Sequence, residues 1–289
     1  MDFGGKIVLV ILWGVMKRIL LAVMVAENLF YATNSLADAS DIEASNNQFS
    51  IRKISTYVDY TETGTLTTNS ATGTLDTETG NVSGYAWALS WMDRMSHFYC
   101  EVGYDQSKGG TKYTGMNITG GGFGSVIDIS TARLTNSSIR LGKALLRYDD
   151  LMLTPYVELG THKWERGVNS GESYANNWLG IGALGQFSPA SHWVVTANAM
   201  LGGTEGSAIS VNSGSGITGF SAALGNSAIL NLGLSADYAL TQSYHVSIGV
   251  DYTGFNYGVS HVVDANGGSL EPDSKTHYSR VKFGLGYAF

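Results

Sequence analysis

The stretch His277-Tyr278-Ser279-Arg280-Val281-Lys282-Phe283-Gly284-Leu285-Gly286-Tyr287-Ala288-Phe289 decides the fold. Counting back in twos, Phe289, Tyr287, Leu285, Phe283 and Val281 share one face. Ala288, Gly286, Gly284, Lys282 and Arg280 share the other. A period of two is that of a β-strand. The apolar face carries aromatics at its end, and no polar tail follows it. That pattern predicts a membrane-spanning barrel strand, apolar toward lipid and small or charged toward the lumen.

The same residues carry a resemblance. An alternating final strand closing on Tyr287-Ala288-Phe289 resembles the C-terminal signature of Gram-negative outer-membrane β-barrels. In that class the strand is the signal read by the barrel-assembly machinery, and the resemblance gives that role to Tyr287 and Phe289. It implies residence in the bacterial outer membrane, with membrane lipid as a partner.

Composition agrees with a large all-β domain. Of 289 residues 14% are charged, 37 are Gly and 3 are Pro, and mean hydropathy is +0.01. No uncharged apolar run is long enough for a transmembrane helix. A net charge of −7 argues against nucleic acid, which demands a basic surface. The single cysteine, Cys100, excludes an internal disulfide framework and a zinc site built mainly from Cys. Near the start, Met16-Lys17-Arg18, the apolar run Ile19 to Ala26 and the small residues around Ala37-Asp38-Ala39 read as an export signal cleaved after Ala39. The chain then divides into 1–39 (extension plus signal), 40–49 (a short periplasmic lead-in) and 50–289 (the barrel). Met1 and Met16 both remain as start codons.

Alternating segments recur along the mature chain. They begin near Ile51, Val82, Ser96, Ser137, Leu151, Tyr174, His192, Asn226, Tyr244 and His277. Short turns such as Asp93-Arg94-Met95 and Thr241-Gln242-Ser243 alternate with long polar links at 61–81, 107–136, 165–173, 202–225 and 259–276. Short periplasmic turns and long extracellular loops give this rhythm. The fold class is therefore all-β, a closed antiparallel transmembrane barrel of about ten strands. Twelve is the alternative if the 61–81 link or the Ser125 to Ile129 run in 107–136 hides another hairpin. Lys143 falls on the lipid side, which requires snorkelling to the rim or a shifted register. Trp91, Phe98, Trp193, Tyr244 and Phe289 form a periplasmic aromatic girdle, and Tyr85, Trp164 and Tyr252 belong to the opposite one. Thr63-Gly64-Thr65-Leu66 recurs as Thr72-Gly73-Thr74-Leu75, which suits a projecting hairpin.

The inward face carries Glu101, Asp105, Arg140, Glu158, Asp237, Asp251, Arg280 and Lys282, with His162 and His245. These charges line a pore or, paired in low dielectric, plug it. No catalytic, cofactor or metal site stands out. Omptin proteases resemble the chain in strand number and length. They need paired loop carboxylates and an Asp-x-His, and no Asp-x-His occurs here. The spacing of His245-Val246-Ser247 resembles the His-x-Ser of lipid A deacylases, but both residues read as lumenal. The Gly120 to Gly124 tract has no following helix and is no phosphate cradle. The expectation is a non-enzymatic barrel with a structural or adhesin-like role, its loops facing an extracellular ligand. A narrow porin and an autotransporter-type translocator barrel without its passenger are the alternatives.

Overall fold

The computed structural model describes residues 39–289 except 66–71, 117–120, 149, 215–217 and 264–270. The export signal, apart from its last residue, lies outside the described residues. The elements are α1 (Ala39–Asn46), β1 (Gln48–Thr65), β2 (Thr72–Met92), β3 (Phe98–Gly115), β4 (Val126–Lys143), β5 (Leu146–Arg147) and β6 (Leu151–Arg166). They continue with β7 (Glu172–Ala190), β8 (Trp193–Val211), β9 (Phe220–Ala223), β10 (Ala228–Ala239), β11 (Tyr244–Tyr257) and β12 (Asp273–Ala288). Ten long antiparallel strands close a barrel. Each pairs with its neighbour in sequence, β8 reaches β10 directly, and β1 pairs with β12 from Gln48↔Ala288 to Thr63↔Asp273. The short strands β5 and β9 pair only with β6 and β8. They add no member to the barrel, so ten is the strand count.

The strands run well past the segments read from hydropathy. The 61–81 link is largely hairpin, with Thr63↔Thr74, Gly64↔Gly73 and Thr65↔Thr72 in register. The two copies of the repeat thus face each other across its tip. The Ser125 to Ile129 run belongs to the upper part of β4, paired with β3, and is not an extra hairpin. Lys143 ends β4 opposite Phe98 at the periplasmic rim and is exposed, so its charge leaves the apolar zone without a register shift.

The outer face decides the environment. Leu89, Val102, Leu159, Leu232, Ile248 and Phe283 all point outward, and Phe283 is 58% exposed. Large side chains rarely line the water-facing surface of a soluble protein in a continuous belt. Around a closed barrel this belt is the lipid-facing surface, and closure satisfies every backbone group within it. At the lower edge ring centroids lie 6.4 Å apart for Trp91 and Phe98, 4.7 Å for Trp193 and Tyr238, and 5.6 Å for Tyr244 and Tyr287. Trp164 does not belong to the upper girdle. It follows His162 in the inward parity of β6 and is 0% exposed inside the barrel.

Candidate functional site

The lumen is closed from below by α1, which the sequence presented only as a lead-in. Ile42 is completely buried. Asn46 exchanges two hydrogen bonds with Gln186 of β7, at 2.8 and 2.9 Å. Glu43 reaches Arg147 at 2.5 Å and Arg94 at 3.9 Å in the periplasmic turns. The Asp41 carboxylate accepts the His192 backbone N–H at 3.0 Å. About two turns of helix are thereby fixed at several points around the rim.

Above α1 lies a polar cavity of about 250 Å³. Its walls carry the charges read from sequence, and they are paired. Arg140 of β4 binds Glu158 through Nε and Nη2 (2.9 and 2.6 Å) and Glu101 through Nη1 at 3.0 Å, with Tyr156 beneath its guanidinium. The pairing of neighbours β3, β4 and β6 dictates this, since Glu101↔Arg140↔Glu158 are directly opposite. Lys282 binds Asp251 at 2.7 Å on the adjoining strand. Arg280 does not take Asp251 or Asp237. It crosses to Asp105 of β3 at 2.9 Å and also donates to Thr56. Asp237 instead accepts from His245 at 2.5 Å, which ties up the His-x-Ser histidine on the lumenal side. His162 contacts Asn136 and Tyr278. Arg52 also lines the cavity. Counting it, four cations face the five lining carboxylates Glu101, Asp105, Glu158, Asp237 and Asp251; all but Asp237, which takes His245, have an Arg or Lys partner. Charges held in low dielectric need such partners.

A layer of rings from five strands closes the chamber from above. His162 meets Phe255 and Tyr278, Phe255 meets Tyr257, Tyr257 meets Tyr174, and Tyr174 stacks on Trp164, which meets Tyr60. Centroid separations are 5.0–5.5 Å, within the range of favourable aromatic contacts. These positions alternate inward on strand segments that rise past the lipid belt.

Higher still is a cluster that the sequence reading missed. Arg166 is 3% exposed. It binds Glu78 at 2.8 Å, Asp76 at 3.4 Å and Glu172 at 3.4 Å, and lies over Tyr60 and Trp164. Glu78 uses its other oxygen to accept from Thr111 at 2.5 Å. Glu271 accepts from the Tyr174 hydroxyl at 2.5 Å. Three buried carboxylates thus bind one guanidinium, and a fourth, Glu271, is held beside them on Tyr174. Burial, reinforced by the charge of Glu172, pushes the Glu271 carboxyl up to about 8. Burial likewise raises Asp76 to about 6, although Arg166 pulls the other way. A carboxyl raised on folding holds a proton that the unfolded chain releases. Its stabilising contribution is complete below the ordinary carboxylate value and is lost as pH rises, through about 6 for Asp76 and about 8 for Glu271. Amide exchange and protease nicking in 259–276 should therefore accelerate between pH 5 and pH 9. The Glu271→Gln variant should show a flatter profile. An identical profile in that variant would remove Glu271 from the account.

Among the described residues no group of three or more His, Cys, Asp or Glu is arranged to hold a metal ion. Tyr287 lies on the outer face, 49% exposed, and Phe289 is 60% exposed. The Phe289 backbone N–H donates to Asn47 at 3.1 Å.

No family model matches the chain, and no curated protein matches it. Solved structures do. The outer membrane protease OmpT of Escherichia coli aligns with 89% of this chain and 100% of its own, at TM-score 0.50 and 10% identity. The β-domain of the Bordetella autotransporter BrkA aligns with 84% of this chain and 100% of its own, at TM-score 0.39 and 14% identity. OprG of Pseudomonas aeruginosa aligns with 84% and 96%, at TM-score 0.38 and 13% identity. At 10% identity the likeness to OmpT is one of fold alone. Ten strands closed on themselves, apolar outside and charge-paired inside, have the fold of the bacterial outer-membrane β-barrels.

Proposed function

We propose that this chain is a non-enzymatic, non-conducting barrel of the bacterial outer membrane that acts through its extracellular hairpins in a structural or surface-interaction role. The observation that carries the reading is the double seal of the lumen, α1 below and the aromatic layer above. A conducting pore needs a continuous aqueous path, and each seal interrupts it. Hydrolysis at the extracellular end is disfavoured too. Glu78 has both oxygens engaged, by Arg166 and Thr111, and Asp76 gives one oxygen to the same guanidinium while its other, without a partner, is buried away from solvent. A carboxylate pair that activates water needs free lone pairs.

Purified barrel in planar bilayers should give no discrete conductance steps at neutral pH. Reproducible steps from heat-modifiable protein would overturn the sealed-lumen reading and favour the narrow porin. For the surface role, the β1–β2 and β3–β4 hairpins would be shortened to belt height. Cells displaying that variant should lose retention on protein-coated surfaces at unchanged barrel levels. Unchanged retention would leave only the structural role.

A further inference from the structure

One sector of the outer wall breaks the pattern of the rest. On β3 and β6 the outward apolar residues end at Tyr104 and Leu159, on β4 they break off at Ile139 and resume at Ile129 and Ile127, and between these limits the same faces carry Lys108, Arg133 and Lys163. Lys108 stands directly opposite Arg133 across the β3–β4 pair. Like charges at facing positions of antiparallel strands repel and weaken the pair. Among the described outward residues of these three strands the one carboxylate is Glu165, opposite Arg133 on β6. It is shared by Lys163 at 2.8 Å and Arg133 at 3.8 Å. Lys112 adds a fourth cation two positions beyond Gly110 on the outward face of β3, and all four cations are exposed. Four positive charges against one negative thus occupy one sector of a chain whose net charge is −7. Neighbouring strands show nothing comparable at this height. The outward residues there are Asn81 and Ser83 on β2, and Ser173 and Ala175 on β7.

Height identifies the occupant. Lys108 lies four residues beyond Tyr104, about 13 Å along the strand at ~3.3 Å per residue. A strand tilt of about 40° reduces this to roughly 10 Å above the apolar belt. Long side chains lean back toward the interface from there, which brings their charges to headgroup level. Lys and Arg presented together bind phosphate through charge-assisted hydrogen bonds. An anion seated between Lys108 and Arg133 would also relieve their repulsion. We propose that Lys108, Arg133 and Lys163, with Lys112 above, bind the phosphate of a phosphorylated lipid headgroup in the outer leaflet. The proposal rests on the outer-membrane reading of the barrel.

The test uses the full barrel purified in a neutral detergent and titrated with mixed micelles of lipid A, of dephosphorylated lipid A, or with inorganic phosphate alone. Bound lipid and the midpoint of the heat-induced mobility shift are both read. Lipid A should bind and raise the midpoint, and the dephosphorylated lipid should do neither. The double variant Lys108→Ser/Arg133→Ser should weaken lipid A binding at least tenfold. Lys275→Ser, an exposed outward position on β12, should leave it unchanged. Equal binding by the double variant, or by the dephosphorylated lipid, would overturn the site. Saturation by inorganic phosphate alone at the concentration effective for lipid A would make it a simple anion site and overturn the lipid assignment. A heat-modifiable barrel that binds no lipid A refutes this inference only. A chain with no heat-modifiable form refutes the barrel reading beneath it.

Discussion

Arg166→Met is expected to destabilise the extracellular end by about 3–5 kcal/mol, the usual consequence of leaving buried charge without its counter-ion. Glu78 and Arg166 are 0% and 3% exposed, so water cannot replace the lost guanidinium without opening the hairpins. The variant should show a lower midpoint of the heat-induced mobility shift and faster nicking in the loops. Two controls separate lost charge from lost packing. Adding Glu78→Gln should restore part of the deficit, because the exposed liability is then a neutral amide. Lowering the pH toward 5 should shrink the deficit as the stranded carboxyls take up protons. A deficit that ignores both Glu78→Gln and pH would mean that Arg166 acts through its ring contacts alone.

The second large effect lies at Gly84. It sits opposite Ser107 on β3 and Ile54 on β1. A β-carbon there would collide with the Gln106 carbonyl oxygen and stand 2.6 Å from the Ser107 Cα. Both obstacles are backbone, so relief requires the strands to part and not a rotamer change. Gly84→Ala should cost about 1–3 kcal/mol, as overpacking does in a tight interior, and should lower the yield of heat-modifiable barrel. Gly185→Ala is the matched control, because a β-carbon at that position meets nothing within 4 Å. Equal loss in both variants would show that chain flexibility, and not the β2–β3 contact, is responsible.

What the sequence disclosed was set by hydropathy contrast. Within the lipid belt, outward Leu, Ile and Phe alternate with inward Gly, Ser and charge, so parity along Leu230 to Asp237 or Tyr244 to Asp251 reads directly. Beyond the belt the outward face is mostly polar while the inward face mixes aromatics with charge, so the contrast fades. The upper halves of β2 and β3, residues 72–81 and 106–115, therefore looked like loop although their backbones pair. The Arg166 cluster was hidden for the same reason. Asp76, Glu172 and Glu271 lie in the 61–81, 165–173 and 259–276 links, and only strand register brings them to Arg166 and Tyr174. Parity alone was sufficient to place Trp164 inside, two residues after His162. The Lys282–Asp251 pair joins adjoining strands, whereas the reach of Arg280 to Asp105 depends on the bore of the barrel, which no local pattern encodes. The lumenal helix was illegible because Ala39–Asn46 has Ile42 as its one large apolar side chain.

The β1–β12 seam has a kinetic consequence. Every other barrel contact joins strands adjacent in sequence or separated only by the short strands β5 and β9, so the sheet is able to grow hairpin by hairpin through local steps. Among the strand pairings of the barrel, the seam alone joins the two ends of the chain, as at Thr56 and Arg280, 224 residues apart. Ordering a chain of that span costs roughly 5 kcal/mol of closure entropy on the logarithmic loop law. That cost falls on a single event, after nearly all other pairing is available to form. Closure is then the slow step of assembly, and slips in the register of Gln48 to Thr63 against Asp273 to Ala288 should be expressed as delayed insertion well before they appear as reduced stability.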